Sequence, residues 1–265
     1  MKVKILKDDE IRDQVSLRYA GIATKGGSCC SGTSDSSCCN DPLGNPQASE
    51  KLGYSREDMA AVPEGANMGL GCGNPQLLAS LQPGETVLDL GSGGGFDCFL
   101  AAKAVGETGR VIGVDMTPEM VRKARKNAIS AGFKNVDFRL GEIEHLPVPD
   151  NSVDVIISNC VINLSPDKVG VFTDAFRVMR QNGRLAVSDI VALQPLSEEI
   201  LGNVDAYCGC VSGAVSVEEL RKVMQAVGFK DISIELKPES RHFIKDWFKD
   251  AEKYVCSASI KARKL

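Results

Sequence analysis

Histidine is almost absent from this 265-residue chain, with two isolated copies, His145 and His242, far apart in sequence. A zinc cage or a catalytic base built on imidazole therefore has little to draw on. Aromatic residues make up only 5%, with a single tryptophan, and the 31 Lys+Arg nearly cancel the 35 Asp+Glu to leave a net charge of −4. That balance supplies no basic face, so no nucleic acid partner is expected. No apolar run approaches a membrane span, and Met1-Lys2-Val3-Lys4-Ile5 opens into charge rather than a signal-peptide core. A cytoplasmic protein without a membrane partner is expected, and a monomer. Apolar residues reach 43%, enough for a buried core.

What the chain does hold is cysteine, ten in all. The density is too low for a disulfide scaffold, and in a reducing compartment free thiols call for a chemical reason. Four form the vicinal pairs Cys29-Cys30 and Cys38-Cys39 in a Gly- and Ser-rich stretch that cannot build a core and reads as a loop. Ahead of it, residues 8 to 23 read as a helix with Ile11, Val15, Tyr19 and Ile22 along one stripe.

From Pro83 onward, short β-branched runs alternate with helical segments, the pattern of a parallel α/β sheet. Strands are predicted at Thr86 to Leu90, Arg110 to Asp115, Val136 to Leu140, Val153 to Ser158 and Gly183 to Ile190. Helices are predicted near Phe96, after Thr117-Pro118, and after Ser165-Pro166. The tail adds a capping box from Ser216 to Glu219, a helix ending at Gly228 and a strand at Asp231 to Leu236. In the last run Cys256, Ala258, Ile260 and Ala262 share one face and Ser257, Ser259, Lys261 and Arg263 the other, which predicts a final antiparallel strand.

Between the first strand and its helix lies Asp89-Leu90-Gly91-Ser92-Gly93-Gly94-Gly95, where missing side chains let the backbone turn and a ligand approach. A dinucleotide fingerprint beginning at Gly91 needs glycine where this chain has Phe96, which disfavours NAD. The D-x-G-x-G-x-G spacing resembles motif I of class I S-adenosylmethionine-dependent methyltransferases, and the resemblance covers residues 65 to 235. It implies a Rossmann-like, mostly parallel α/β sheet with a final antiparallel strand. It also implies that Asp89, Gly91, Ser92, Gly93 and Gly95 hold S-adenosylmethionine, with Asp115 and Met116 at the ribose, Glu142 and Ile143 at the adenine edge, and Asn159 in the same pocket.

Three further stretches carry thiols: Gly71-Cys72-Gly73-Asn74-Pro75, Ser158-Asn159-Cys160-Val161-Ile162-Asn163-Leu164-Ser165 and Gly209-Cys210-Val211-Ser212-Gly213-Ala214. Residues just beyond the fourth strand face the ligand crevice of such a sheet, so Cys160 stands where a methyl acceptor belongs. It offers a soft ligand where oxygen and nitrogen methylation often want a base. Zinc is disfavoured by the Cys208-x-Cys210 spacing, whereas thiolate-only sites select thiophilic ions. Trivalent arsenic takes three thiolates in a pyramid and keeps a lone pair. Cys98 and Cys256 read as small core residues, and Cys208 as an alternative ligand or a bystander.

In this order and on this scaffold, the three stretches closely resemble the cysteine motifs of arsenite S-adenosylmethionine methyltransferases, and the resemblance spans nearly the whole chain. It implies that Cys72, Cys160 and Cys210 hold arsenic(III) while it is methylated for detoxification. It further implies that an N-terminal cysteine, Cys29 or Cys30 in preference to Cys38 or Cys39, pairs with Cys72 as a disulfide during turnover. A thiol reductant, glutathione or thioredoxin, would reset the enzyme. On this reading residues 1–62 form an N-terminal helix and cysteine-rich loop, 63–192 the S-adenosylmethionine-binding domain, and 193–265 a part completing the sheet and contributing to the arsenic site. Two other readings compete: a carbon methyltransferase of the quinone or sterol type, with a larger apolar acceptor pocket, and a metalloid-binding protein that only sequesters.

Overall fold

Strands that are apolar on both faces need cover on both faces, and the central strands of this chain are of that kind. The structure is a computed structural model that describes residues 8–24 and 48–265 apart from 246 and 249. Cys29, Cys30, Cys38 and Cys39 lie outside the described residues. The strands are β1 (Thr86–Leu90), β2 (Arg110–Asp115), β3 (Val136–Leu140), β4 (Val153–Asn159), β5 (Met179–Ala192), β6 (Lys230–Lys237) and β7 (Val255–Arg263). They form one sheet in the order β3-β2-β1-β4-β5-β7-β6. Pairing is parallel from β3 to β5, and β7 runs antiparallel to both of its neighbours. The expected fold class holds.

Successive residues of a strand point to opposite faces, and here both faces are dry. Leu88, Ile112 and Ile156 pack with Phe172 from the helix Lys168–Val178. Their neighbours Val87, Val111 and Val155 pack with Phe99 from the helix Phe96–Val105.

Local chemistry shifts some expected boundaries. The helix expected from Ser165-Pro166 begins at Lys168, because the Asp167 carboxylate accepts the Gly170 amide at 2.8 Å as its cap. Ser165 is occupied elsewhere, donating its hydroxyl to Glu144 at 2.6 Å. Thr117 precedes Pro118 at a helix start as expected, yet its hydroxyl makes no capping bond. The β5 strand starts at Met179, ahead of Gly183, through an irregular register with β4. On β7 the face carrying Ser257 and Ser259 is buried as well, since Ser257 donates its hydroxyl to the Cys72 carbonyl at 2.7 Å.

The strand order reverses between β1 and β4, and ligands of such sheets bind beyond the strand ends at that point. The loops following Leu90 and Asn159 open there into a pocket, and the N-terminal helix Asp8–Thr24 lies across it with Arg12, Val15 and Tyr19.

Candidate active site

The β1 loop turns at Gly91 with φ of 68°, and a Cβ there would stand 2.4 Å from Val161 Cγ2. Glycine is required at this position because the loop after β4 packs directly on it. Gly91, Ser92, Gly93 and Gly94 line the pocket, while Gly95 stands behind them as the residue preceding the helix Phe96–Val105. Asp115, at the end of β2, accepts the Gly93 amide at 2.9 Å and the Thr117 amide at 2.8 Å. Burial raises its pKa and those two bonds oppose the rise. Ser92 Oγ is buried without a partner. A glycine cradle, an orphaned hydroxyl and a carboxylate at the strand end fit S-adenosylmethionine, whose ribose and amino-acid groups can satisfy them.

The same pocket contains Asp89 and Asp97. Tyr54 donates its hydroxyl to Asp97 at 2.8 Å, and the Cys98 thiol lies 3.2 Å from Asp89 as its donor. Burial pushes Asp97 up to about 6, and burial together with the nearby Asp97 charge lifts Asp89 well above the carboxylate range. Two buried acids facing a pocket suit a cationic occupant.

Next to this pocket lie the thiols. Cys72, Cys160 and Cys210 are all buried, and Cys160 alone of the three lines the pocket itself. The Sγ atoms of Cys72 and Cys160 and a carboxylate oxygen of Asp189 lie within 4.8 Å of one another. The Cys210 thiol donates to the Cys160 carbonyl at 2.9 Å. Burial raises the pKa of Cys72, and raises that of Cys160 further because the neighbouring Cys210 and Cys72 thiols add to it. Both are thiols at neutral pH until an electrophile drives off their protons.

These positions are held by strain and by close interlocking. Of the seven described non-glycine residues with positive φ, five are Ser, Asn or Asp, and the other two are Cys160 at 58° and Cys210 at 63°. A cysteine in the left-handed region costs about 1–2 kcal/mol, so the surrounding packing must impose it. That packing is visible at Gly213, where a Cβ would lie 2.0 Å from the Asn163 carbonyl oxygen. Asn163 donates to Asp189 at 3.0 Å, to the Ile190 carbonyl at 2.6 Å and to the Cys210 carbonyl at 3.4 Å, tying the two cysteine loops to β5.

Other expected residues fall as follows. Met116, Ile143 and Asn159 line the pocket, while Glu142 is exposed outside it and Glu144, two residues on, takes a buried place in the lining. Glu144 accepts Arg12 Nη2 at 3.2 Å, which ties the N-terminal helix to the pocket wall. Cys98 and Cys256 are buried in the core, Cys208 is buried at the end of the helix Val204–Cys208, and both histidines are exposed. Sequence reasoning missed Asp97, Tyr54, Glu144 and Asp189. Asp189 had a signal, an acid inside the apolar run Leu185 to Val191.

Fold and pocket together define a class I S-adenosylmethionine-dependent methyltransferase, and residues 81–228 match the family model of a methyltransferase domain. The chain belongs to the arsenite methyltransferase family. It is 51% identical over 263 residues to an arsenite methyltransferase of Halobacterium salinarum, covering 97% of this chain and 67% of that protein. With an arsenite methyltransferase of Aquipseudomonas alcaligenes the identity is 42% over 176 residues, 64% of this chain and 50% of that one. The crystal structure of an arsenic(III) S-adenosylmethionine methyltransferase from Chlamydomonas reinhardtii superposes with a TM-score of 0.61 at 32% identity, covering 83% of this chain and 74% of that chain. The chain thus spans two thirds of the first of these curated relatives and half of the second.

Proposed function

We propose that this chain transfers methyl groups from S-adenosylmethionine to arsenic(III) held by Cys72, Cys160 and Cys210. The observation that carries the reading is that Cys160 lines the cosubstrate pocket while the Cys72 thiol adjoins the Cys160 thiol and the Cys210 thiol rests on the Cys160 carbonyl, with Cys160 and Cys210 both in strained backbone. Arsenite would exchange its three hydroxyls for the three thiols, releasing water, with the thiol protons leaving on the hydroxyls. S-adenosylmethionine supplies an electrophilic methyl group when bound. Asp115 would take the ribose hydroxyls, Ile143 and Glu144 the adenine end, and the Asp89 and Asp97 pair the ammonium of the amino-acid group. The protein's part is chiefly to position and to keep water out, and no side chain has to remove a proton from the nucleophile.

Methylation oxidises arsenic formally from III to V, so two electrons must return from thiols. We assign that role to Cys72 with Cys29 or Cys30, as a disulfide, and its reset to glutathione or thioredoxin. The cytoplasm is the fitting compartment, since the six described cysteines are all unpaired.

The decisive experiment incubates the chain with methyl-labelled S-adenosylmethionine, arsenite and a thiol reductant. Label is expected in methylated arsenic. Arsenite binding without transfer would overturn the reading in favour of sequestration. Replacing Cys29, Cys30, Cys38 and Cys39 together is expected to spare one turnover and stop repeated cycles, and full multiple turnover would overturn the redox assignment.

A further inference from the structure

Methyl transfer to arsenic relocates a positive charge, and one buried anion lies where that charge arrives. In the proposed reaction the arsenic lone pair forms the As–C bond while the C–S bond of the sulfonium breaks. The C–S electron pair goes to the leaving sulfur, which becomes a neutral thioether. The tris-thiolate arsenic, neutral beforehand, becomes cationic, and no proton moves. A cation forming inside a water-excluded site without a counter-charge is costly.

We propose that Asp189 is a catalytic residue whose carboxylate, set against the Cys72 and Cys160 thiols, stabilises the positive charge developing on arsenic. This rests on the function proposed above. One carboxylate oxygen lies within 4.8 Å of both sulfurs, and all three residues are buried. The carboxylate is fixed as an acceptor: Oδ1 takes the Ile190 amide at 2.7 Å and Asn163 Nδ2 at 3.0 Å, and Oδ2 takes the Ile162 amide at 2.9 Å. These donors are neutral N–H groups, and a carboxylate oxygen has two lone-pair directions, so Oδ2, with one donor, keeps capacity for a further partner. Among the described residues no cation is in contact with it. Burial raises its pKa to about 6, and the Ile190 and Ile162 amides, with Lys168 from a distance, oppose that rise; the Lys168 ammonium itself donates to the Ser165 carbonyl at 3.1 Å.

Preorganisation follows from the same bonds. Ile162 and Asn163 belong to the loop that presents Cys160, so carboxylate and thiol move as one unit, and no reorganisation is needed as charge develops. Asp189 is not part of the cosubstrate pocket lining and is not at the surface. A buried acid in an apolar strand without an ion pair is a net cost to the fold, which a role in the reaction would explain.

The test uses the full chain in single turnover with arsenite and methyl-labelled S-adenosylmethionine, with arsenite binding read separately by thiolate-to-arsenic absorption in the ultraviolet. The wild type comes first: arsenite binding without label transfer would sink the functional reading, whereas normal transfer makes the variants a test of Asp189 alone. Asp189→Asn is expected to bind arsenite within about threefold of wild type and to transfer methyl about a hundredfold more slowly at saturation. Asp189→Glu, which restores the charge, is expected to recover about tenfold or more of that loss. The proposal is overturned if the Asn variant transfers within about threefold of wild type, if it no longer binds arsenite, or if the Glu variant is no faster than it. Loss of binding would mean that the carboxylate only braces the thiol loops.

Discussion

Asn159 clasps the Cys72 loop: its Oδ1 accepts the Cys72 amide at 3.0 Å, and its Nδ2 donates to the Gly73 carbonyl at 2.9 Å. The same amide donates to the Tyr54 hydroxyl at 3.0 Å, so the first thiol loop and the acid-lined end of the cosubstrate pocket share one side chain. Asn159→Ala removes the partner of the buried Cys72 amide and of the half-buried Gly73 carbonyl. It is expected to cost about 2–4 kcal/mol of unfolding free energy and to weaken arsenite binding about tenfold or more. Urea unfolding and an arsenite titration by ultraviolet absorption measure the two effects.

Cys160 and Cys256 are both buried, yet only Cys160 adjoins other thiols and the pocket. Cys160→Ser is expected to abolish arsenic methylation while leaving the melting temperature close to wild type. The Cys256 thiol donates to the Lys237 carbonyl at 3.2 Å, a bond that a serine hydroxyl can keep, so Cys256→Ser is expected to retain activity within about threefold. Parallel assays of arsenic methylation on the two variants would separate ligand from core cysteine, and equal losses would contradict the assignment.

Gly213 interlocks two cysteine loops by having no side chain. In Gly213→Ala the new methyl would collide with the Asn163 carbonyl, a backbone atom that cannot swing aside. The expected cost is about 3 kcal/mol, at the upper end of overpacking, with loss of arsenite binding larger than the loss of S-adenosylmethionine binding. Calorimetric titration of each substrate gives that comparison.

Stability should depend on pH through Asp97. Its folded pKa is pushed up to about 6, against about 3.9 in an unfolded chain. The folded state therefore holds a proton that the unfolded state has already lost in the window between these values. The resulting stabilisation is full below about pH 4 and is lost as the pH rises through about 6. Replacing Asp97 with Asn removes the titrating group, so from about pH 4 to pH 7.5 the variant is expected to gain about 2–3 kcal/mol on the wild type. Urea unfolding at the two pH values checks the sign, and an unchanged difference would refute it.

Much of the fold is legible in the chain because short-range rules set it. The β-branched runs of β1, β2 and β4 are apolar on both faces, so they could only be covered strands, and the Gly91 turn between β1 and its helix could be read from residue type alone. The loop cysteines could be picked out for a similar reason: buried Cys98 and Cys256 sit in regular elements, while Cys72, Cys160 and Cys210 sit beside glycine or at strand ends.

Other features depended on chain segments far apart in sequence. Nothing local marks the burial of Ser257 and Ser259, since it comes from the Cys72 loop settling on β7. Glu144 could not be distinguished from Glu142 by spacing: Arg12 reaches both acids, and Glu144 is set apart by its burial and by the Ser165 hydroxyl arriving from another element. The amino-acid sequence by itself determined the parallel sheet and the glycine cradle, and singled out three loop thiols for the proposed chemistry, all from residue type and period. Only the tertiary structure decided that Asp189 lies against two of those thiols, and that Cys160 and Cys210 are forced into left-handed backbone. Those outcomes come from the packing of β5 against two distant loops, and contact energies between remote segments leave no periodic trace in the chain.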